Sequence, residues 1–129
     1  YLDFIGVHYR DAAGNVLGEH VFVGLYAMHV YHVSTGDIPV VRSKVAAVRA
    51  ACGFAAGSFR DKLLINALET YPREELIEIG TDDLLRIASG IVMLQEHPRV
   101  RVFLRNDNWG RYVSALVYMP RDRFDTIAT

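Results

Sequence analysis

Two histidines in the segment "MHVYH", His29 and His32, are the sharpest candidates for metal chemistry in this chain. A zinc site needs three or four ligands that converge on one point, so His8 or His20 would have to join them. The pair lies in a loop-like stretch between a predicted strand and a predicted helix, with no carboxylate at a ligand spacing nearby. The sequence favours ordinary loop histidines. A small metal-binding domain that uses His29 and His32 is the lesser alternative.

Glu74, Glu75 and Glu78 form an acidic cluster that could supply a general acid and a general base. Such chemistry requires one carboxyl group whose pKa is raised, usually by apolar surroundings, and the pattern gives no such surroundings. The cluster is therefore interpreted as a solvated face. Cys52, the only cysteine, falls on an apolar helical stripe and is predicted to be part of the core.

Arginines are concentrated towards the end of the chain, and we call Arg99, Arg101, Arg105 and Arg111 the arginine cluster. The first three share one parity of a predicted strand. Guanidinium groups can bind a carboxylate, a phosphate or an acidic protein surface, or they can protect an exposed sheet edge from aggregation. The acidic segment 69–83 offsets their charge, so a contact within the protein or between domains is favoured. Nucleic acid is disfavoured as a partner, because aromatic residues are not interleaved with the arginines.

Motifs for cofactor chemistry are absent from the sequence. It contains no G-x-G-x-x-G or P-loop pattern for phosphate binding and no G-x-S-x-G pattern for a nucleophilic serine. The segment is therefore predicted to have no catalytic residue, no bound cofactor and no metal.

Bulk properties limit the function classes further. The chain has 129 residues, enough for one domain, and a formal net charge of −1, which disfavours a general polyanion binder. A single cysteine indicates a reducing cytoplasm, and no apolar run is long enough to span a bilayer. The sequence begins in strand-like residues without a methionine, which suggests a piece of a longer protein.

The elements that would position these residues follow from hydrophobic periodicity. A first hairpin is predicted over residues 2–27, with Ile5, Val7 and Tyr9 on one half-buried face. In its second strand, Leu17, Val21, Val23 and Leu25 share one side. A closing hairpin with its turn at 106–110 is predicted at the other end of the chain.

Three helices and a short strand are predicted between the hairpins. The first helix is expected to be capped by Asp37, the second to begin at Ser58 and the third to begin at Thr81. Alternation in residues 75–79 predicts the short strand. The order β-β-α-α-β-α-β-β indicates an α+β fold with a mostly antiparallel sheet.

Four strings resemble a section of the large bacterial NAD-specific glutamate dehydrogenases. They are "YLDFIGVHYRDAAGNVLGEHVFVGLY", "YHVSTGDIPVVRSKV", "LETYPREELIEI" and "ASGIVMLQEHPRVRVFLRNDNWGRYVSALVYMPRDRFDT". The resemblance implies a segment of the long N-terminal region, upstream of the catalytic domain. Residues 1–98 would be the end of a PAS-like module plus a helical connection. Residues 99–129 would be the first hairpin and helix start of an ACT-like module, cut short.

The resemblance also implies a function: a non-catalytic regulatory or assembly segment of an enzyme that deaminates L-glutamate to 2-oxoglutarate and ammonia with NAD. The implied partners are other domains and subunits of the dehydrogenase, possible amino-acid effectors, and further copies in a homo-oligomer, with neither nucleic acid nor membrane. A purely structural spacer that binds no ligand is the alternative. An incomplete module leaves one face of the closing hairpin uncovered, so the isolated chain is expected to self-associate there.

Overall fold

The computed structural model describes residues 2–121, and the chain divides into two compact units, residues 1–33 and 34–129. The elements are β1 (Asp3–Arg10), β2 (Val16–Gly24), α1 (Pro39–Cys52), α2 (Phe59–Glu69), α3 (Arg73–Glu78), α4 (Thr81–Glu96), β3 (Arg101–Asn106) and β4 (Val113–Tyr118). The predicted α+β class is confirmed. The described strands form two separate two-stranded antiparallel sheets.

The first unit is the hairpin β1–β2. Its turn is organised by Asp11, whose carboxylate accepts hydrogen bonds from the backbone N–H groups of Ala13 and Asn15, each at 2.9 Å. Gly14 has a φ of 89°, which a residue with a side chain adopts at a cost. The hairpin predicted over residues 2–27 is therefore confirmed, with its turn at residues 11–15.

The prediction of one half-buried face on this hairpin is wrong. The register pairs Ile5 with Phe22 and Gly6 with Val21, so the two apolar sets predicted for β1 and β2 lie on opposite faces. None of the described residues 2–33 is buried. The physical reason is that two strands alone provide no second layer to cover either face.

In the second unit, α1, α2 and α4 form the helical core. The α1 stripe buries Val41 and Val48, and Gly53 ends the helix with a φ of 63°. The Ser58 side chain caps α2 by accepting a hydrogen bond from the Asp61 N–H at 3.2 Å, as predicted. Helix α4 buries a longer row of apolar residues: Leu84, Ile87, Ala88, Ile91, Val92 and Leu94.

The predicted cap of α1 by Asp37 is wrong. Residues Thr35–Asp37 form a separate 3₁₀ turn, and Ile38 is the residue that precedes the helix, without a side-chain cap. Pro39 occupies the first turn and has no N–H to satisfy, so the helix can begin there without a capping side chain.

The strand predicted over residues 75–79 is also wrong, because this segment is the helix α3. Leu76 and Ile79 are three residues apart, so a strand would place them on opposite faces, whereas a helix places both on one face, and both are completely buried. Glu74 and Glu75 lie in the first turn, where negative charge stabilises a helix N-terminus. A short apolar run of this kind is compatible with both periods, and tertiary contacts select the helix.

The β3–β4 hairpin packs one face on the helices. Cross-strand pairs place Arg101, Phe103 and Arg105 on the same face as Tyr118, Leu116 and Ser114. Phe103 is 4% exposed and belongs to the core, whereas Val102 and Leu104 on the opposite face are 50% and 59% exposed. The helix expected to start after Pro120 falls on residues 122–129, outside the described part. No helix among the described residues is long and apolar enough to cross a membrane.

Candidate functional site

Arg105 is the centre of the most elaborate polar site in the second unit. Its guanidinium group donates from Nε to Glu75 Oε1 at 2.5 Å and from Nη2 to Glu75 Oε2 at 2.8 Å. The exposed fractions of the two side chains are only 3% and 12%. The hydrogen bonds to Glu75 raise the pKa of Arg105 above its ordinary value. This bidentate pair joins β3 to α3.

Two further contacts extend the site around α3. The Tyr112 hydroxyl donates a hydrogen bond to Glu78, and Glu78 Oε2 lies 3.9 Å from Arg105 Nη2. Lys44 of α1 donates from Nζ to the carbonyl oxygens of Ile77 at 2.6 Å and Ile79 at 2.7 Å. Burial, followed by repulsion from Arg105, lowers the pKa of Lys44.

We call Lys44, Glu75, Glu78, Arg105 and Tyr112 the α3 clamp. Its members come from α1, α3, β3 and the residue that precedes β4, and they hold the short helix at its C-terminal end and along one side. A six-residue helix has little intrinsic stability, so these tertiary contacts must supply most of it. The clamp shows that Glu75 is not part of a solvated face, which corrects the interpretation of the acidic cluster.

Arg111 is occupied in the turn of the β3–β4 hairpin. Its Nε donates to Asp107 Oδ2 at 2.9 Å, and the guanidinium carbon lies 5.9 Å from the centre of the Tyr112 ring. Asp107 also accepts from the backbone N–H of Trp109 at 3.3 Å. The hydrogen bond from Arg111 is the main reason why the pKa of Asp107 is lowered. This pair fixes the turn.

Arg101 lies beside Phe103 at the contact with α4. Its guanidinium carbon is 4.8 Å from the centre of the Phe103 ring, a cation–π geometry. The ring rests directly on Gly90: a Cβ atom added to Gly90 would lie 2.7 Å from Phe103 Cε1 and 2.9 Å from Cζ. The glycine therefore permits the close approach of β3 to α4.

Arg99 is exposed, as Arg111 is. It lines an open cleft of about 450 Å³ together with Leu94, Gln95, Pro98, Tyr118, Met119, Pro120 and Arg121. The structure thus distributes the cluster over four environments: a buried ion pair at Arg105, a turn at Arg111, an aromatic contact at Arg101 and an open cleft at Arg99. The predicted pairing of arginines with the acidic segment 69–83 is present at Arg105.

A second polar site joins the start of the second unit to α2. The Glu69 carboxylate accepts hydrogen bonds from the hydroxyl groups of Thr35 at 2.7 Å and Ser34 at 2.8 Å, and from Arg73 Nη2 at 3.1 Å. Burial alone would raise the pKa of Glu69. The hydrogen bonds from Thr35, Ser34 and Arg73 outweigh it, so the pKa lies below the ordinary 4.5.

Glu69→Gln is expected to make the protein less sensitive to acid. Because folding lowers the pKa of Glu69, its ionised form contributes stability at pH values above 4.5, and this contribution is lost as the pH falls through the lowered value. Urea unfolding between pH 5 and pH 3 checks this, with the exposed Glu19→Gln as the control. If Glu69→Gln and the wild type lose equal free energies of unfolding between pH 5 and pH 3, the lowered pKa of Glu69 does not contribute to stability, and the prediction is wrong.

The histidines considered as metal ligands lie in different surroundings. His29 belongs to a 3₁₀ turn, Met28–Tyr31, and its carbonyl oxygen accepts from the His32 N–H at 3.1 Å. His8 lies 3.4 Å from Glu19, and the His20 ring stacks on Tyr9 at 4.9 Å. Within residues 2–121, no three His, Cys, Asp or Glu side chains converge on a possible metal position.

Cys52 lies where its helical stripe predicts, half-buried between α1 and α4, with its Sγ 3.5 Å from Ser89 Oγ. Sequence reasoning missed Lys44, Glu69 and Gly90. Two signals were available in the sequence: Lys44 lies beside the apolar stripe of its helix, and Gly90 lies inside a helix. Both placements are unfavourable unless a specific contact compensates for them.

Two family models match the chain. The first, glutamate dehydrogenase helical motif 1, matches residues 38–97, and the second, the glutamate dehydrogenase ACT2 domain, matches residues 101–128. The contacts of Arg105 and Tyr112 with α3, and the contact of Phe103 with Gly90, therefore connect residues of one matched region to residues of the other. No solved structure is significantly similar to the chain.

Curated relatives give the same result. The chain is 39% identical over 126 residues to an NAD-specific glutamate dehydrogenase of Halomonas elongata and 40% identical over 126 residues to that of Pseudomonas aeruginosa. It is 36% identical over 119 residues to that of Mycobacterium tuberculosis. These alignments cover 98%, 98% and 91% of this chain but only 8%, 8% and 7% of the relatives. The chain belongs to the NAD-specific glutamate dehydrogenase family and corresponds to the part of it that contains helical motif 1 and the ACT2 domain.

Proposed function

We propose that this chain is a non-catalytic junction in the N-terminal region of an NAD-dependent glutamate dehydrogenase, where it fixes the ACT2 domain to helical motif 1 for regulation and assembly. The observation that supports this most directly is the buried pair Arg105–Glu75, since Arg105 lies in the ACT2 match and Glu75 in the helical-motif match. The proposed boundary between residues 98 and 99 falls in the gap between the two matches.

The contacts across this junction are those of a permanent interface. Phe103 is 4% exposed, and its ring rests on Gly90 of α4, where an added Cβ atom would lie 2.7 Å from Phe103 Cε1. Buried apolar contacts combined with an ion pair in bidentate geometry hold two elements in one relative position. In the complete dehydrogenase, a change in the position of the ACT2 hairpin would therefore be transmitted to α3 and, through Lys44, to α1.

The outer face of the β3–β4 hairpin supports contact with other parts of the dehydrogenase. Its exposed residues are Val102, Leu104, Val113, Ala115 and Val117. In the isolated chain we expect this face to cause self-association, and sedimentation at increasing concentration checks it. A chain that remains monomeric at high concentration would oppose the proposal for this face.

The junction is tested in the full-length dehydrogenase with Arg105→Met and, as a control within the helical motif, Arg60→Met. Arg60 pairs with Glu96 at 2.7 Å, and the two side chains are 57% and 28% exposed. We expect Arg105→Met to change assembly in sedimentation, or thermal stability, while the KM for NAD stays the same. A clear rise in that KM with unchanged assembly and stability would instead indicate a role in cofactor binding and would contradict the proposal.

A ligand screen separates the junction from an effector site. An effector present at 100 times its dissociation constant would stabilise the chain by about 2.7 kcal/mol. We expect neither the common amino acids nor NAD to stabilise the chain in this way. That result is the one expected of a structural junction that binds neither of them. The alternative is an amino-acid site in the cleft beside Arg99, and a stabilising shift that Arg99→Met abolishes would favour it.

A further inference from the structure

The open cleft beside Arg99 lies where the end of α4, the linker after it and the end of β4 meet. Its volume of about 450 Å³ suits a small molecule. Leu94 and Gln95 come from α4, Arg99 from the linker, and Tyr118 and Arg121 from the end of β4 and the residues after it. The cleft therefore has walls from both family matches, since Leu94 lies in the helical-motif match and Tyr118 in the ACT2 match.

The two arginines of the cleft lack an acidic partner within residues 2–121. Neither Arg99 nor Arg121 forms an ion pair or a hydrogen bond with a described residue. Six other arginines of the second unit are paired with carboxylates: Arg49, Arg60, Arg73, Arg86, Arg105 and Arg111. The cleft thus contains two guanidinium groups whose charge no described carboxylate neutralises.

Tyr118 adds a fixed hydrogen-bond donor to the cleft. Its ring meets the buried Phe103 ring edge to face at 6.0 Å, which holds the side chain on the core side. Its hydroxyl makes no hydrogen bond with a described residue. Burial raises the pKa of this hydroxyl, so it remains protonated and can donate at neutral pH.

The residues that line the cleft indicate the chemistry of a ligand. None of them is an aspartate or a glutamate, and two guanidinium groups suit two negative charges. The ammonium group of an amino acid would find no carboxylate there, so amino acids fit less well. The apolar part of the wall suits a short hydrocarbon part of the ligand, and its residues are Leu94, Pro98, Met119 and Pro120.

We infer that this cleft binds a small dianion with a short hydrocarbon part and no ammonium group, either a dicarboxylate or a phosphate monoester. Such a ligand contacts both sides of the junction, so its binding stabilises the position of the ACT2 hairpin on helical motif 1. Only this regulatory consequence rests on the proposed function. Arg105 does not line the cleft, so Arg105→Met tests the junction and leaves the binding claim to its own experiment.

Titration calorimetry of the 129-residue chain at low ionic strength tests the ligand class. Glutarate and L-glutamate share the same dicarboxylate skeleton and differ by one ammonium group, and glutarate should bind at least about tenfold more tightly. Ethyl phosphate and phosphoethanolamine provide the same comparison for phosphate, at about pH 8, where the phosphate group is a dianion. Whichever dianion binds more tightly identifies the source of the ligand.

Methionine variants locate the site. Arg99→Met and Arg121→Met should each weaken binding of the tighter dianion at least about tenfold, which corresponds to the loss of one charged hydrogen bond. Arg42→Met removes an exposed arginine of α1 that lies outside the cleft, and it should leave binding unchanged. Both cleft arginines are exposed, so urea unfolding should show the same free energy of unfolding for all three variants and the wild type.

Three results would overturn the inference. Binding of L-glutamate as tight as that of glutarate would refute the ligand class and favour the amino-acid alternative. An equal weakening by Arg42→Met and Arg99→Met would show unspecific attraction of anions to exposed arginines. A dissociation constant above about 10 mM for both glutarate and ethyl phosphate would mean that the cleft is not a dianion site.

Discussion

Replacing Arg105 with methionine is expected to lower the free energy of unfolding of the second unit by about 3 kcal/mol. Methionine has a similar length but no charge, so the Glu75 carboxylate would remain 12% exposed without its bidentate partner. An ionised carboxylate left in that position loses hydration without gaining an ion pair. Urea unfolding followed by circular dichroism measures the change.

A double variant identifies the source of this loss. Arg105→Met combined with Glu75→Met removes both charges and should recover most of the stability, since a buried pair replaced by apolar residues is often neutral. Arg60→Met, which breaks the more exposed pair with Glu96, should cost less than about 1 kcal/mol. Equal losses for Arg105→Met and Arg60→Met would mean that the Arg105 pair behaves as a surface ion pair.

Replacing Gly90 with alanine is expected to destabilise the protein by about 1–3 kcal/mol, as overpacking of a core does. The sign is the informative part, because glycine to alanine inside a helix normally stabilises by about 1 kcal/mol. Here the new methyl group would lie 2.7 Å from an atom of the Phe103 ring, and that ring is held in the core. Either the ring or the whole β3 strand must move.

A smaller side chain at position 103 should reverse the effect. In a Phe103→Leu background, Gly90→Ala should be neutral or stabilising, because the ring atoms that it meets are gone. Gln95→Ala, at an exposed position of α4, is the control for helix propensity. A stabilising Gly90→Ala in the wild-type background would show that β3 does not approach α4 as closely as described.

The helical part of the fold was largely readable from the sequence. The stripe through Val41 and Val48 has the period of a helix, and the Ser58 cap and Gly53 end depend on local chemistry. These features are decided within a few residues of the chain, which is why composition and spacing predict them.

Features decided by distant contacts were not readable. Residues 75–79 have a spacing that suits both a strand and a helix, and the contacts of Lys44 and Arg105 with α3 favour the helix. The same holds for Glu75. Its neighbours in the sequence are polar, but Arg105, 30 residues away on another element, pairs with it and shields it from solvent. Within the arginine cluster, Arg105 pairs with the acidic segment 69–83, whereas Arg111 pairs with Asp107 of its own turn. The division of the cluster into buried and exposed members depends on which face of β3 meets α4.

The error in the first hairpin has a different cause. Each strand shows an apolar set of one parity, and each set alone predicts a half-buried face. The one-residue shift between Tyr9 and Arg10 and the pairing of Gly6 with Val21 place the two sets on opposite faces. The turn sets the register of the hairpin. A period-two pattern within each strand does not predict which residues of the two strands pair.

Hydrogen–deuterium exchange on the 129-residue chain tests the central claim most directly, that the ACT2 hairpin and helical motif 1 form one unit through the α3 clamp. The backbone amides of β3 and α3 should be protected together in the wild type. Both should exchange faster in Arg105→Met but not in Arg60→Met, with α4 less affected. Exchange of β3 at the rate of an unfolded peptide in the wild type, with α3 and α4 still protected, would contradict the account.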